Sequence, residues 1–154
     1  VATGHIARGV YSGLKLPADR AFLCGLLHDV GIAGCYAVLS KIPKSERPKR
    51  FEVAADAVRI VHEEASRIMA AKWNLPYGIR WVVGNHHTLE VSGHVNPMTA
   101  VVILSDWLAS ESGADGLGEA DPDLAKRAAT HFGLGENDVK RLLERSKQVV
   151  SQLP

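Results

Sequence analysis

Apolar residues recur at helical spacing along nearly the whole chain. Between Ala18 and Val30 they wrap all round, through Ala21, Phe22, Leu23, Leu26, Leu27 and Val30. A helix apolar on every side belongs inside a fold. Pro17 suits its first turn and Gly31 its C-terminal stop. Ile42–Arg50 carries prolines and reads as a loop. A long helix is predicted from about Glu52 to Trp73, with Ala54, Val58, Val61, Ala65, Ile68 and Met69 inward. Asn74-Leu75-Pro76 ends it, and a short helix covers about Tyr77–His87. Asn96-Pro97 pairs a cap with a first-turn proline and opens a helix from about Met98 to Ser110. Ser112–Ala120, with three glycines, reads as a loop. Asp121-Pro122 repeats the cap signal for a helix ending near Phe132, with Gly133 as stop. A last amphipathic helix covers about Glu136–Gln152, with Val139, Leu142, Leu143, Val149 and Val150 facing in. No strand alternation of useful length, repeat or low-complexity tract is visible. The pattern predicts one all-α domain over residues 1–154, a compact bundle of about six or seven helices without a sheet. Gly4-His5-Ile6-Ala7 already reads as helix interior, so the chain is expected to be a fragment of a longer polypeptide.

A chain of 154 residues and 16.6 kDa can bury a sizeable core. With 46% hydrophobic and 23% charged residues it is not a disordered polyanion or polycation. Eighteen cationic and seventeen anionic side chains leave a net charge of +1, which gives no case for nucleic acid or a membrane surface. No uninterrupted apolar run approaches the ~20 residues that span a bilayer; Ala100–Leu104 and Cys35–Leu39 are each far too short. The N-terminus lacks the basic and apolar regions of a signal peptide. Two cysteines make no disulfide framework, so a reducing cytoplasm is the expected setting.

What changes the picture is the placing of the seven histidines. His28 and Asp29 adjoin in the most apolar predicted helix, where an unpaired charge would cost several kcal/mol. Adjacent helical residues point about 100° apart, so they can grip one ion from two sides or let the carboxylate bridge two. The alternative is an aspartate capping a helix end beside a buried histidine. His86 and His87 continue the stripe of Ile79, Val82 and Val83 at helical spacing. Two imidazoles on a buried face are hard to satisfy without a metal or a carboxylate. Asp106 is the only charge among Val101–Leu108 and is either a ligand or the mark of a narrow solvated face. His62 lies mid-helix, and neither it nor His5 decides anything alone. Helical bundles build di-metal sites from side chains that converge from facing helices in this way.

The order His5, His28-Asp29, His62, His86-His87, Asp106 resembles the HD superfamily of metal-dependent phosphohydrolases. The phrases AFLCGLLHDVG, HEEASRIMAAKWNLPYGI, NHH, NPMTAVVILSDWLA and HFGLGENDVKRLLE resemble its HDOD branch, found in bacterial signalling proteins. The resemblance implies a divalent-metal centre in which His5, His28, Asp29 and Asp106 hold one ion. His62, His86 and His87 would hold a second, with Asp29 as the catalytic bridge. Iron, manganese, magnesium, zinc and nickel are not distinguished. Two divalent ions and two aspartates leave about +2, which attracts phosphate and lowers the pKa of a bound water to roughly 7. The related HD-GYP branch, which hydrolyses cyclic di-GMP, carries a lysine where this chain has Ile32. Its glycine-tyrosine-proline signature is absent from His87–His94. The resemblance therefore implies a regulatory HDOD domain with a retained metal centre and signalling-protein partners. The alternative is an active phosphohydrolase or phosphodiesterase taking a phosphorylated small molecule or nucleotide, and a more distant one is a di-iron oxygenase.

Other features weigh less. Lys41, Lys44, Arg47, Lys49 and Arg50 oppose Glu46 alone, a local excess read as a solvated loop. Cys24 reads as a small buried residue. His94 and His131 read as surface, and Trp73, Trp81 and Trp107 as core.

Overall fold

The computed structural model describes residues 1–14, 18–114 and 120–153. Helix α1 spans Ala2–Gly13, α2 Ala18–Leu27, α3 Val30–Leu39, α4 Phe51–Lys72 and α5 Tyr77–Val83. A small hairpin follows, β1 Glu90–Val91 against β2 His94–Val95, and then α6 Pro97–Glu111, α7 Pro122–His131 and α8 Glu136–Ser151. The fold is all-α. Helices α2 and α3 are two halves of one span, Ala18–Leu39, interrupted at His28-Asp29. Counted so, the described residues make a seven-helix bundle.

Asn96 caps α6, accepting from the Met98 and Thr99 amides at 2.9 and 3.2 Å. Asp121 caps α7 through the Asp123 and Leu124 amides at 2.8 and 3.1 Å. Each supplies a side-chain oxygen to donors that the first helical turn leaves orphaned. Helix α6 is the axis of the core: Ala100, Val101, Val102, Leu104 and Leu108 are fully buried, and α1, α2, α5, α7 and α8 pack on it.

Several sequence expectations need correction. The most buried helix is α6, not Ala18–Val30; α2 buries only Ala21, Cys24 and Gly25, and Leu26 is exposed. A Cβ on Gly25 would lie 2.8 Å from the Thr3 carbonyl oxygen and 2.9 Å from Gly4 Cα. The two helices therefore meet backbone to backbone, which leaves the bulky residues of α2 on its flanks. Gly31 does not stop a helix but sits in the first turn of α3. The buried stripe of α4 is Ala55, Val58, His62, Ser66 and Ala70, while Val61 and Ile68 are exposed. Trp73 is also exposed. The hairpin was not expected, because two residues per strand show no alternation. Its loop, Ser92-Gly93, has φ of +51° and +77°, the left-handed pair whose twist suits a two-residue connection.

Taken as one span, Ala18–Leu39 is 22 residues long with mean hydropathy 1.7, long and apolar enough to cross a bilayer by length and composition. Uninterrupted runs hide this, because Asp19, Arg20, His28 and Asp29 divide the segment. Here α2 lies on α1 and α3 on α4. Pro17 and residues 115–119 of the expected Ser112–Ala120 loop lie outside the described residues.

Candidate metal centre

The interruption between α2 and α3 sets His28 just beyond α2 and makes Asp29 the residue that precedes α3. His62 enters from the middle of α4. His86 and His87 do not continue α5, which ends at Val83; they lie in the turn that follows Gly84. The helical stripe inferred for them is therefore wrong, although His86 is 2% exposed and His87 half-buried. Asp106 comes from α6.

Three imidazoles are held alike. Nδ1 lies 2.8 Å from the Gly25 carbonyl oxygen in His28, 2.8 Å from that of Arg59 in His62, and 2.8 Å from that of Val83 in His86. A carbonyl only accepts, so Nδ1 donates and Nε2 is the ring atom turned toward the site. These Nε2 atoms converge. His62 Nε2 is 3.2 Å from His86 Nε2 and 3.1 Å from His87 Nε2.

Asp29 stands between the rings. Its Oδ2 is 3.1 Å from His28 Nε2, and its Oδ1 is 3.1 Å from His86 Nε2 and 3.6 Å from His62 Nε2. Asp106 Oδ1 lies 3.1 Å from His28 Nε2 and accepts from Thr3 Oγ1 at 3.3 Å. Two sets of donor atoms share Asp29. One is Asp29, His62, His86 and His87; the other is His28, Asp29 and Asp106, with the atoms of each within 4.8 Å of one another. These buried groups can hold a metal ion, and their nitrogen and oxygen donors fit a divalent one.

The electrostatics follow from the same contacts. Burial opposes a charge on His28, but its hydrogen bonds to Asp106 and Asp29 prevail and push its pKa up to about 10. Burial also works against the Asp29 carboxylate, yet His28 and His86 hold it well below the usual carboxylate range. Burial, with His86 and His62 beside it, pushes His87 down to about 4 despite the opposing pull of Asp29 and Asp106. In the absence of metal, one ring thus keeps a proton as the stand-in cation while another refuses one.

The structure brings together His28, Asp29, His62, His86, His87 and Asp106, and leaves His5 outside. His5 is exposed and sets its ring edge-on to Phe22, with centroids 5.0 Å apart. Two residues along a helix turn the side chain by about 200°, so His5 cannot share the face of Thr3, which is the α1 residue that reaches Asp106. Sequence reasoning missed Thr3, and it missed Glu63, whose Oε1 accepts from the His87 amide at 2.9 Å. It also missed Ser66, whose Oγ accepts from the Gly31 amide at 2.7 Å and ties α3 to α4 beside the site. Only the spacing of His62 and Ser66, one turn apart, hinted at this. Cys24 is buried, its thiol pushed up to about 12 by burial, and it is not among the converging donors. His94 and His131 are at the surface.

Buried and half-buried histidines and half-buried aspartates thus converge from separate elements of a helical bundle, as in a metal-binding domain. The family model of the HDOD domain matches residues 1–89, more than half of the chain, and the chain belongs to that family. It is thus an HD-like domain of the signal-transduction type. The matched segment includes five of the six converging residues and ends before Asp106. No curated protein and no solved structure matches significantly.

Proposed function

We propose that this HDOD domain holds two divalent ions in a centre that serves signalling, with Asp29 between them. The carrying observation is the convergence of the His62, His86 and His87 Nε2 atoms within 3.1–3.2 Å. Imidazole nitrogens and a carboxylate gathered this closely form a set of donor atoms that a cation can occupy. His62, His86, His87 and Asp29 Oδ1 would hold one ion; His28, Asp106 and Asp29 Oδ2 would hold the other. A donor set this rich in imidazole suits iron, nickel or zinc better than magnesium. When bound, such ions polarise a phosphoryl oxygen and activate water. Around them, backbone carbonyls orient the His28, His62 and His86 rings, Thr3 orients Asp106, and the carboxylates keep the net charge low. The ligand class that suits the remaining positive charge is a phosphate ester or nucleotide, with signalling proteins as partners.

The second reading is an active phosphohydrolase, favoured by the presence of all six converging residues. Ile32, in place of the lysine of cyclic di-GMP hydrolases, weighs against that substrate.

The test is metal stoichiometry per chain, with turnover of a nitrophenyl phosphodiester measured alongside. Wild type should carry close to two ions, His86→Ala should lose mainly one, and Asp29→Ala should lose both. Equal stoichiometry in the two variants would sink the bridging role, and full metal in both would sink the metal centre. Turnover lost in both variants makes the domain an enzyme; no turnover in wild type leaves it a regulator.

A further inference from the structure

Resting on that metal centre, we propose that Glu63 is a positioning residue for it, fixing the His86-His87 turn against the helix that carries His62. The paired histidines lack a helical scaffold. Beyond α5 the chain runs through Gly84, and the turn's own amide bonds are Asn85 to the Val82 carbonyl at 3.2 Å and Thr88 to the Asn85 carbonyl at 3.0 Å. Neither fixes that turn to α4. Glu63 does so: its Oε1 accepts from the His87 amide at 2.9 Å, across 24 residues of sequence. The same oxygen lies 3.9 Å from His86 Nδ1, on the side of the ring away from the converging Nε2 atoms.

Glu63 follows His62 directly, so one stretch of α4 presents an imidazole to the site and a carboxylate to the backbone that supports two more. Metal–ligand distances tolerate only about 0.2 Å of error. A turn free to drift would lose that registration, whereas one anchored through its own amide moves with α4. Glu63 is half-buried, with a side-chain exposure of 30%. Glu64, the next residue, is exposed and pairs with Arg67 on the same helix.

The experiment is Co²⁺ titration of the metal-stripped domain, read by its visible spectrum, together with hydrogen exchange at the His87 amide before metal is added. Glu63→Gln keeps an accepting oxygen and removes the charge; Glu63→Ala removes both; Glu64→Ala is the control. Loss of a group that orients a ligand weakens metal binding by about 10–100-fold. That loss is expected in Glu63→Ala, with faster exchange at His87. Glu63→Gln should retain both properties, staying well short of the Glu63→Ala loss, and Glu64→Ala should match wild type. Equal affinity in wild type and Glu63→Ala overturns the proposal while leaving the metal centre standing. Glu63→Gln as weak as Glu63→Ala also overturns it, because charge rather than positioning would then be at work. A wild type that takes up no Co²⁺ overturns both readings, and it alone overturns the metal centre.

Discussion

Gly31→Ala should damage this domain more than any other single-methyl addition at its helical glycines. Gly31 sits in the first turn of α3, where that helix crosses α4. A Cβ there would lie 2.0 Å from the His62 carbonyl oxygen, 2.5 Å from the Ser66 amide nitrogen and 2.6 Å from Ser66 Oγ. Real Cβ atoms keep at least 3.0 Å from such neighbours, so the helices must separate by about 1 Å, and two of the three obstacles are backbone while the third is the Ser66 hydroxyl. Overpacking of this kind costs about 1–3 kcal/mol. Loss of the bond from the Gly31 amide to Ser66 Oγ adds roughly 0.5–1.5 kcal/mol. The sum is roughly 2–4 kcal/mol, or about 4–16 °C in Tm for a chain of this length. The same displacement carries Asp29 away from His62 by several times the ~0.2 Å that a coordination shell tolerates. Metal content should therefore fall along with the melting temperature, measured by calorimetry and by metal analysis. Gly34→Ala is the internal control. Its Cβ would meet Met69 Sδ at 2.5 Å, but that is the movable end of a flexible side chain. Gly9→Ala meets nothing within 4 Å and should be neutral or stabilising by about 0.4–1 kcal/mol. A Gly31→Ala protein that melts with wild type and binds metal normally would refute the close-crossing argument.

Two further outcomes are expected. In the metal-free protein the pKa of His28 is raised to about 10, so its contribution to stability is complete below about pH 6.5 and is lost as pH climbs toward 10. His87, lowered to about 4, acts in the opposite sense and penalises the fold as pH falls from about 6.5 toward 4. The melting temperature of the metal-free protein should thus peak near neutrality. Metal uptake at pH 7.5 should release a proton from His28, seen as a calorimetric heat that varies with the ionisation enthalpy of the buffer; a heat independent of buffer would contradict the His28 assignment. Asn96→Ala removes the oxygen that accepts from Met98 and Thr99 and should cost about 1 kcal/mol in chemical denaturation, while leaving metal content unchanged.

The sequence by itself determined the helical class, both proline-flanked caps and most helix boundaries, because these depend on neighbours a few residues apart. It also singled out His28, Asp29, His86, His87 and Asp106, since polar groups among apolar neighbours stand out wherever the chain later places them, while His62 joined them only through the order of the motif. Only the tertiary structure decided how they meet. Helical spacing put His86 and His87 on α5, yet they occupy a turn, and what orients that turn is a carboxylate 24 residues earlier. Periodicity also chose the wrong stripe of α4. Val61 and Ile68 are more apolar than His62 and Ser66, but the site and the crossing with α3 claim the polar face. His5 was assigned by its place in an ordered motif, whereas the rotation of α1 against α2 brings Thr3, not His5, within hydrogen-bond reach of Asp106. That rotation is set by Gly25 lying against the backbone at Thr3 and Gly4, a contact between residues distant in sequence. Local pattern specifies which segments become helices; which face each presents is decided where two backbones touch, and no single segment carries that information.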